Sequence, residues 1–115
     1  MVKAGKINWD ADKNHVIKGS KSTPHDWTPF GIDPNGGDGV WPALLALLKK
    51  VVDEPDRFAG PYVQKNGSQI WFYMKDFDNG VGIIVKIAEL TNGTLKLSDA
   101  WPFFDKVANY VIPMS

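Results

Sequence analysis

The chain has 115 residues, 43% of them hydrophobic, with five tryptophans and no cysteine, and its 13 basic and 13 acidic side chains cancel. That length suits one core and one domain, the missing cysteines exclude disulfides, thiolate chemistry and cysteine-ligated zinc, and the zero net charge argues against a surface that attracts nucleic acid as a whole. There is no run of about 18 or more apolar residues and no charged-then-apolar leader, so neither a membrane span nor a cleavable signal is expected.

The first element is a short helix beginning at Asn8 or Asp10 and running to Ile17, with only Trp9, Val16 and Ile17 as its apolar residues. It leads into HVIKGSKSTPH, residues 15–25, which holds both histidines of the chain, His15 and His25, with Lys18 and Lys21 between them. Gly19, Ser20 and Pro24 keep this stretch out of regular structure. An imidazole moves a proton near neutral pH, and ammonium groups hold phosphate, so the loop has the two ingredients of metal-free RNA cleavage. Each residue alone also has an ordinary reading, as a helix-capping or surface side chain. Two histidines ten apart, one beside Asp26, make a poor metal set, and no metal or other cofactor is expected.

DPNGGDG, residues 33–39, shares only its glycines with a phosphate-cradling loop, lacking the Lys-Ser/Thr pair and a preceding strand, and is read as a connection. A helix follows over residues 40–53, where Val40, Leu44, Leu47, Leu48 and Val51 keep helical spacing, Pro42 sits in the first turn and Pro55 stops it. Trp41, Leu45 and Val52 widen its apolar stripe, as suits a helix lying across a sheet.

Asn66-Gly67, Asn79-Gly80 and Asn92-Gly93 then recur 13 residues apart and mark hairpin turns, the Asn-Gly pair supplying positive φ angles. Strands are expected over 61–65, 69–77, 81–90 and 94–98, rich in β-branched and aromatic residues. Alternation places Ile70, Phe72 and Met74 on one face with Val81, Ile83, Val85, Ile87, Leu95 and Leu97, under the helix. The other face would carry Trp71, Tyr73, Lys75, Ile84, Lys86, Thr94, Lys96 and Ser98. That face is either an ordinary solvated one or a surface for looped or single-stranded RNA, with Lys75, Lys86 and Lys96 on phosphates and Tyr73 and Trp71 stacking on bases. The fold class is therefore α+β, with N-terminal helices packed on one face of a four-stranded antiparallel meander. Residues 1–38 form the first helix and the histidine loop, 39–54 the main helix and 58–101 the sheet.

The order of these motifs resembles the tRNA-cleaving domain of colicin D and related C-terminal toxins of contact-dependent growth inhibition systems, within the wider barnase, EndoU, colicin and RelE fold. The matching pieces are the lysine-bearing stretch leading to His25, PFGI (29–32), the helix WPALLALLKKVVDEP, FAGPYVQKNGSQIWFY and VGIIVKIAELTNGTLKLSDAW, together spanning about residues 18–101. By position the resemblance implies His25 as catalytic acid or base, Lys21 and Lys18 on the phosphate, and Ser98 with Trp101 completing the site. Two residues, Asp99 and Ala100, separate that serine and tryptophan where the pattern has one, and Pro24 precedes the histidine where the pattern has lysine. The opening KINWDADKNHVIKGS, residues 6–20, is similar to other toxin and phage-associated members and implies His15 instead; the His25 assignment is preferred.

The implied activity is a metal-independent endoribonuclease toxin that cleaves tRNA in the anticodon loop, the 2′-hydroxyl attacking phosphorus to leave a 2′,3′-cyclic phosphate. The implied partners are tRNA, a cognate immunity protein and, left open, an elongation factor of the target cell. Such a domain would be exported within a larger toxin and act in the target bacterium's cytoplasm. Two alternatives stay open: a non-enzymatic protein-interaction module such as an immunity protein, and a same-fold nuclease acting on mRNA or rRNA.

Overall fold

The computed structural model describes residues 6–21 and 24–112; residues 22 and 23 of the histidine loop lie outside them. It is an α+β fold with one mixed five-stranded sheet and one main helix. In chain order come β1 (Ile7–Asn8), α1 (Lys13–Lys18), α2 (Trp41–Asp53), β2 (Arg57–Val63), β3 (Gln69–Asp76), β4 (Gly82–Glu89) and β5 (Leu95–Phe103), with 3-10 turns at Thr28–Phe30 and Gly37–Val40. The sheet order is β1-β5-β4-β3-β2. β2 to β5 form the expected antiparallel meander, and β1 adds a two-residue parallel edge strand beside β5, pairing Ile7 with Leu95 and Asn8 with Lys96.

The three Asn-Gly turns are built alike, and only the glycine of each pair supplies the expected positive φ. In the first, Gly67 N–H bonds Gln64 O at 3.0 Å and Gln64 N–H bonds Ser68 O at 2.8 Å, and the same pair of bonds closes the turns at Phe77–Val81 and Leu90–Thr94. That is a three-residue loop, a type I turn followed by a left-handed residue, so only the glycine needs positive φ: 87° at Gly67, 79° at Gly80 and 87° at Gly93, with no non-glycine residue of the described chain in that region. Each asparagine instead turns its side-chain oxygen onto the backbone N–H two residues ahead, in Ser68, Val81 and Thr94.

Both faces of the sheet are covered. On one side α2 lays Trp41, Leu44, Leu48, Val51 and Val52 against Tyr73, Ile83, Val85, Ile87, Leu97 and Ala100, joined by Val16, Ile17 and Trp27 from the N-terminal segment. On the other side Ile70, Phe72, Met74, Ile84, Ala88 and Phe103 pack under residues of the C-terminal segment, chiefly Val107, Tyr110 and Ile112. This corrects the expected face of β3: Tyr73 lies opposite Val85 and Trp71 opposite Ile87, so these aromatics, and not Ile70, Phe72 and Met74, turn toward the helix. The run from Ile70 to Met74 is apolar throughout, so alternation held no information about which residues face which way.

The C-terminal cover is held by directed contacts. Arg57 Nη1 donates to the carbonyls of Val107 and Tyr110, both at 2.7 Å, Val107 N–H donates to Asp76 at 3.0 Å, and Trp101 Nε1 donates to the Tyr110 hydroxyl at 2.9 Å. The Phe103 ring sits 4.2 Å from that of Tyr110 and presses on Gly82, where a Cβ would lie 2.5 Å from its nearest ring carbon. Gly82→Ala is accordingly expected to push Phe103 off its seat and destabilise the fold by about 1–3 kcal/mol, as overpacking of a filled core does. A urea unfolding midpoint equal to the parent's would contradict this.

Candidate active site

Helix α1 has only six residues, so its last carbonyls have no donors within the helix. Gly19, at φ 72°, ends it and returns its N–H to His15 O. The carbonyl of Val16 is satisfied from across the loop by two side chains, Trp27 Nε1 and His25 Nδ1, each at 2.8 Å. His25 N–H bonds Lys18 O at 3.1 Å and Gly19 bridges Pro24, so the chain leaves α1 and comes back beside it. The return brings the two histidine rings together edge to face, their centroids 5.5 Å apart.

This anchoring fixes how His25 presents itself. A carbonyl oxygen only accepts, so Nδ1 of His25 carries the hydrogen and Nε2 is the nitrogen left for chemistry. It turns toward Asp99, 4.0 Å from Oδ1, while Nε2 of His15 lies 3.3 Å from Oδ2 of the same carboxylate. His25 is nearly buried and His15 about half exposed. One carboxylate thus sits against two imidazoles.

Asp99 reaches this position because β5 is bulged. In the β4–β5 ladder Ala88 faces Lys96, Ile87 faces Leu97 and Lys86 faces Asp99, leaving Ser98 as the extra residue. Lys96 and Asp99, three apart, would point to opposite faces of a regular strand. With Ser98 absorbed they share one, opposite residues two apart on β4. Asp12 and His15 are likewise three apart, neighbours along one side of a helix. The two pairs meet: Lys96 with Asp12 at 3.7 Å and His15 with Asp99 at 3.3 Å, tying α1 to β5.

A cavity of about 340 Å³ opens beside this cluster, lined by Pro24, His25, Asp99, Trp101, Pro102 and Tyr110. The Trp101–Tyr110 hydrogen bond braces its aromatic wall. The result is a concave site lined by one imidazole, one carboxylate and a ring surface, with the second imidazole, His15, held against Asp99 outside the lining, and the cluster is equipped to take a proton from one atom and give one to another. Comparison with protein-family models, with curated proteins and with solved structures finds no match for this chain.

Of the residues singled out in the sequence, His25 and Trp101 line the cavity, and His15 joins them through Asp99 and the His25 ring without lining it. Ser98 is the half-buried bulge residue next to Asp99 and does not line the cavity; Lys18 and Lys21 are exposed on α1 and the loop and do not line it either. The expected face of lysines and aromatics does not form. Tyr73 is fully buried, and Trp71 packs on the helix-side core and stacks on Phe58, so neither ring is free to receive a base as expected. Lys75 donates to Glu54 O at 2.8 Å beside Asp56, Lys96 is engaged by Asp12, and Lys86, opposite Asp99, lies on the other face from Tyr73.

Asp99 and Tyr110 are the residues that sequence reasoning missed. In the sequence Asp99 is only a spacer between Ser98 and Trp101, and Tyr110 lies beyond the stretch of about residues 18–101 that carries the resemblance. Asp26, the carboxylate nearest His25 in sequence, is not its partner: it accepts from the Thr28 hydroxyl and N–H, and these bonds, the hydroxyl's first, hold its carboxyl below the usual range. That contribution is therefore present at neutral pH and lost only as the pH falls through this lowered value.

Proposed function

We propose that the chain is a metal-independent endoribonuclease that cleaves tRNA, of the kind deployed as a toxin between bacteria. The observation that carries the reading is the juxtaposition of His15 and His25 on Asp99, beside an aromatic-walled cavity that His25 and Asp99 line. Cleavage next to a 2′-hydroxyl needs one group to take the proton of the attacking oxygen and another to protonate the leaving 5′-oxygen. His25, with its hydrogen held on Nδ1 by Val16, offers the Nε2 lone pair as base. His15, with Nε2–H directed at Asp99, is the proton donor. The O2′–P bond forms as the P–O5′ bond breaks, giving a 2′,3′-cyclic phosphate and a 5′-hydroxyl.

In this reading the sequence-based assignment to His25 alone becomes a pair. The exposed Lys18 and Lys21 meet the phosphate backbone, and Trp101 with Tyr110 supplies ring surface for an unstacked base. Membership of the barnase, EndoU, colicin and RelE fold, an acidic immunity protein, export within a larger toxin and action in the target cell's cytoplasm are parts of the same proposal. Among the described residues no helix is long and apolar enough to cross a membrane.

The test is incubation of the purified chain with total bacterial tRNA in excess chelator, read on a denaturing gel. Discrete half-tRNA fragments ending in a cyclic phosphate are expected, with growth arrest when the chain is expressed unprotected. Fragments from mRNA or rRNA only would redirect the substrate. No cleavage, even with cell extract supplying an elongation factor, would leave a non-enzymatic interaction module.

A further inference from the structure

The same cluster has the composition of a metal site. One ring nitrogen of His15, one of His25 and a carboxylate oxygen of Asp99 all lie within 4.8 Å of one another, although the histidines are separated by a helix end and a loop and the aspartate comes from the last strand of the chain. Zinc at about 2.0–2.2 Å from nitrogen and oxygen ligands in tetrahedral geometry sets neighbouring ligand atoms roughly 3.3 Å apart. The separation of His15 Nε2 from Asp99 Oδ2 is 3.3 Å as it stands, and His25 Nε2 lies 4.0 Å from the other oxygen, Oδ1, so a shared ion requires the His25 ring and the carboxylate to draw together.

A second observation points the same way. His25 gives its Nδ1 hydrogen to the Val16 carbonyl at 2.8 Å. Metal-bound histidines nearly always donate their other ring N–H in this manner, because it fixes the ring and leaves a lone pair on the nitrogen that faces the ion. At Nε2 that lone pair faces a carboxylate oxygen, an arrangement of two acceptors that calls for a cation between them, whether a proton or a metal.

We propose that His15, His25 and Asp99 bind one divalent transition-metal ion of the zinc class, with three protein ligands and the fourth position open to the cavity. Two imidazoles and a single carboxylate suit zinc, cobalt, nickel or copper and disfavour magnesium and calcium, which require more oxygen ligands. A consequence follows that rests on the nuclease reading: an ion on both Nε2 atoms removes the base and the acid together, so zinc would inhibit cleavage. The binding itself does not depend on that reading.

The experiment is titration of the chelator-stripped chain with Co²⁺, followed by visible absorption, then displacement by Zn²⁺. Wild type is expected to bind one Co²⁺ per chain with the intense bands of a low-coordinate site, to release it to stoichiometric Zn²⁺ and to keep it in equimolar Mg²⁺. His15→Ala, at a half-exposed helix position, and the isosteric Asp99→Asn are expected to keep the wild-type circular dichroism and each to weaken binding at least tenfold. Absence of saturable Co²⁺ and Zn²⁺ binding would overturn the proposal. So would equal affinity in the two variants, which would place the ion elsewhere, or displacement by equimolar Mg²⁺. Because this readout involves no RNA, its failure leaves the nuclease proposal standing, and a chain that binds zinc but cuts no RNA sinks the nuclease proposal alone.

Discussion

His15→Ala and His25→Ala are each expected to lower the rate of tRNA cleavage by about 10²–10⁴-fold, and the double variant to be no slower than the worse single one. The reasoning is that one turnover needs a proton taken and a proton given, and the two imidazoles stand on a single carboxylate where neither can substitute for the other. Once one is missing, the other assists a step that no longer limits the rate. Single-turnover rates on a defined tRNA check this, with circular dichroism to show that the variants fold. A fully active His15→Ala would return the chemistry to His25 alone, as the sequence resemblance first implied. Multiplicative losses in the double variant would mean that the two act independently.

Trp27→Ala is expected to cost about 3–5 kcal/mol, a large share of the roughly 5–15 kcal/mol that holds a domain folded. Trp27 is the largest fully buried side chain of the structure; its ring stands edge-on to His25 and tilted against Phe30, and its Nε1 supplies one of the two donors on the Val16 carbonyl. Trp27→Phe separates the two roles, keeping most of the apolar ring while removing the donor. It should cost about 1 kcal/mol from the lost hydrogen bond, since His25 still serves that carbonyl, plus a smaller packing term. Urea unfolding of both variants measures the difference. A Trp27→Ala loss under about 1 kcal/mol would show that the loop is not anchored there.

What the sequence disclosed follows from where its patterns are one-sided. Helix α2 has one apolar stripe, a proline in its first turn and a proline after its end, and it runs from Trp41 to Asp53 within a residue of expectation. The turns were legible because asparagine and glycine have few other uses in such a place. The faces of β3 were not, because both are buried: the largely apolar segment 104–112, which shows no clear periodicity in sequence, covers the second face. β2 begins at Arg57, earlier than expected, and the two-residue β1 is too short to show any periodicity.

The site was half legible for a related reason. Histidines at the two ends of a loop invited a choice between them, whereas the backbone return from Lys18 to His25 makes them neighbours. Asp99 could not be placed from alternation, since the register shift in β5 reverses the side to which everything after Leu97 points.

That shift makes the site tolerant of one change in chain length. Removing the single codon for Ser98 would leave a regular ladder in which Leu97 faces Ile87 and Asp99 still faces Lys86, so the carboxylate would keep its side of the sheet. A chain one residue shorter in this strand would keep both the inventory of the site and the side on which it stands. Among relatives of this protein, a spacing of two from lysine to aspartate in this strand is therefore as compatible with the site as the three seen between Lys96 and Asp99.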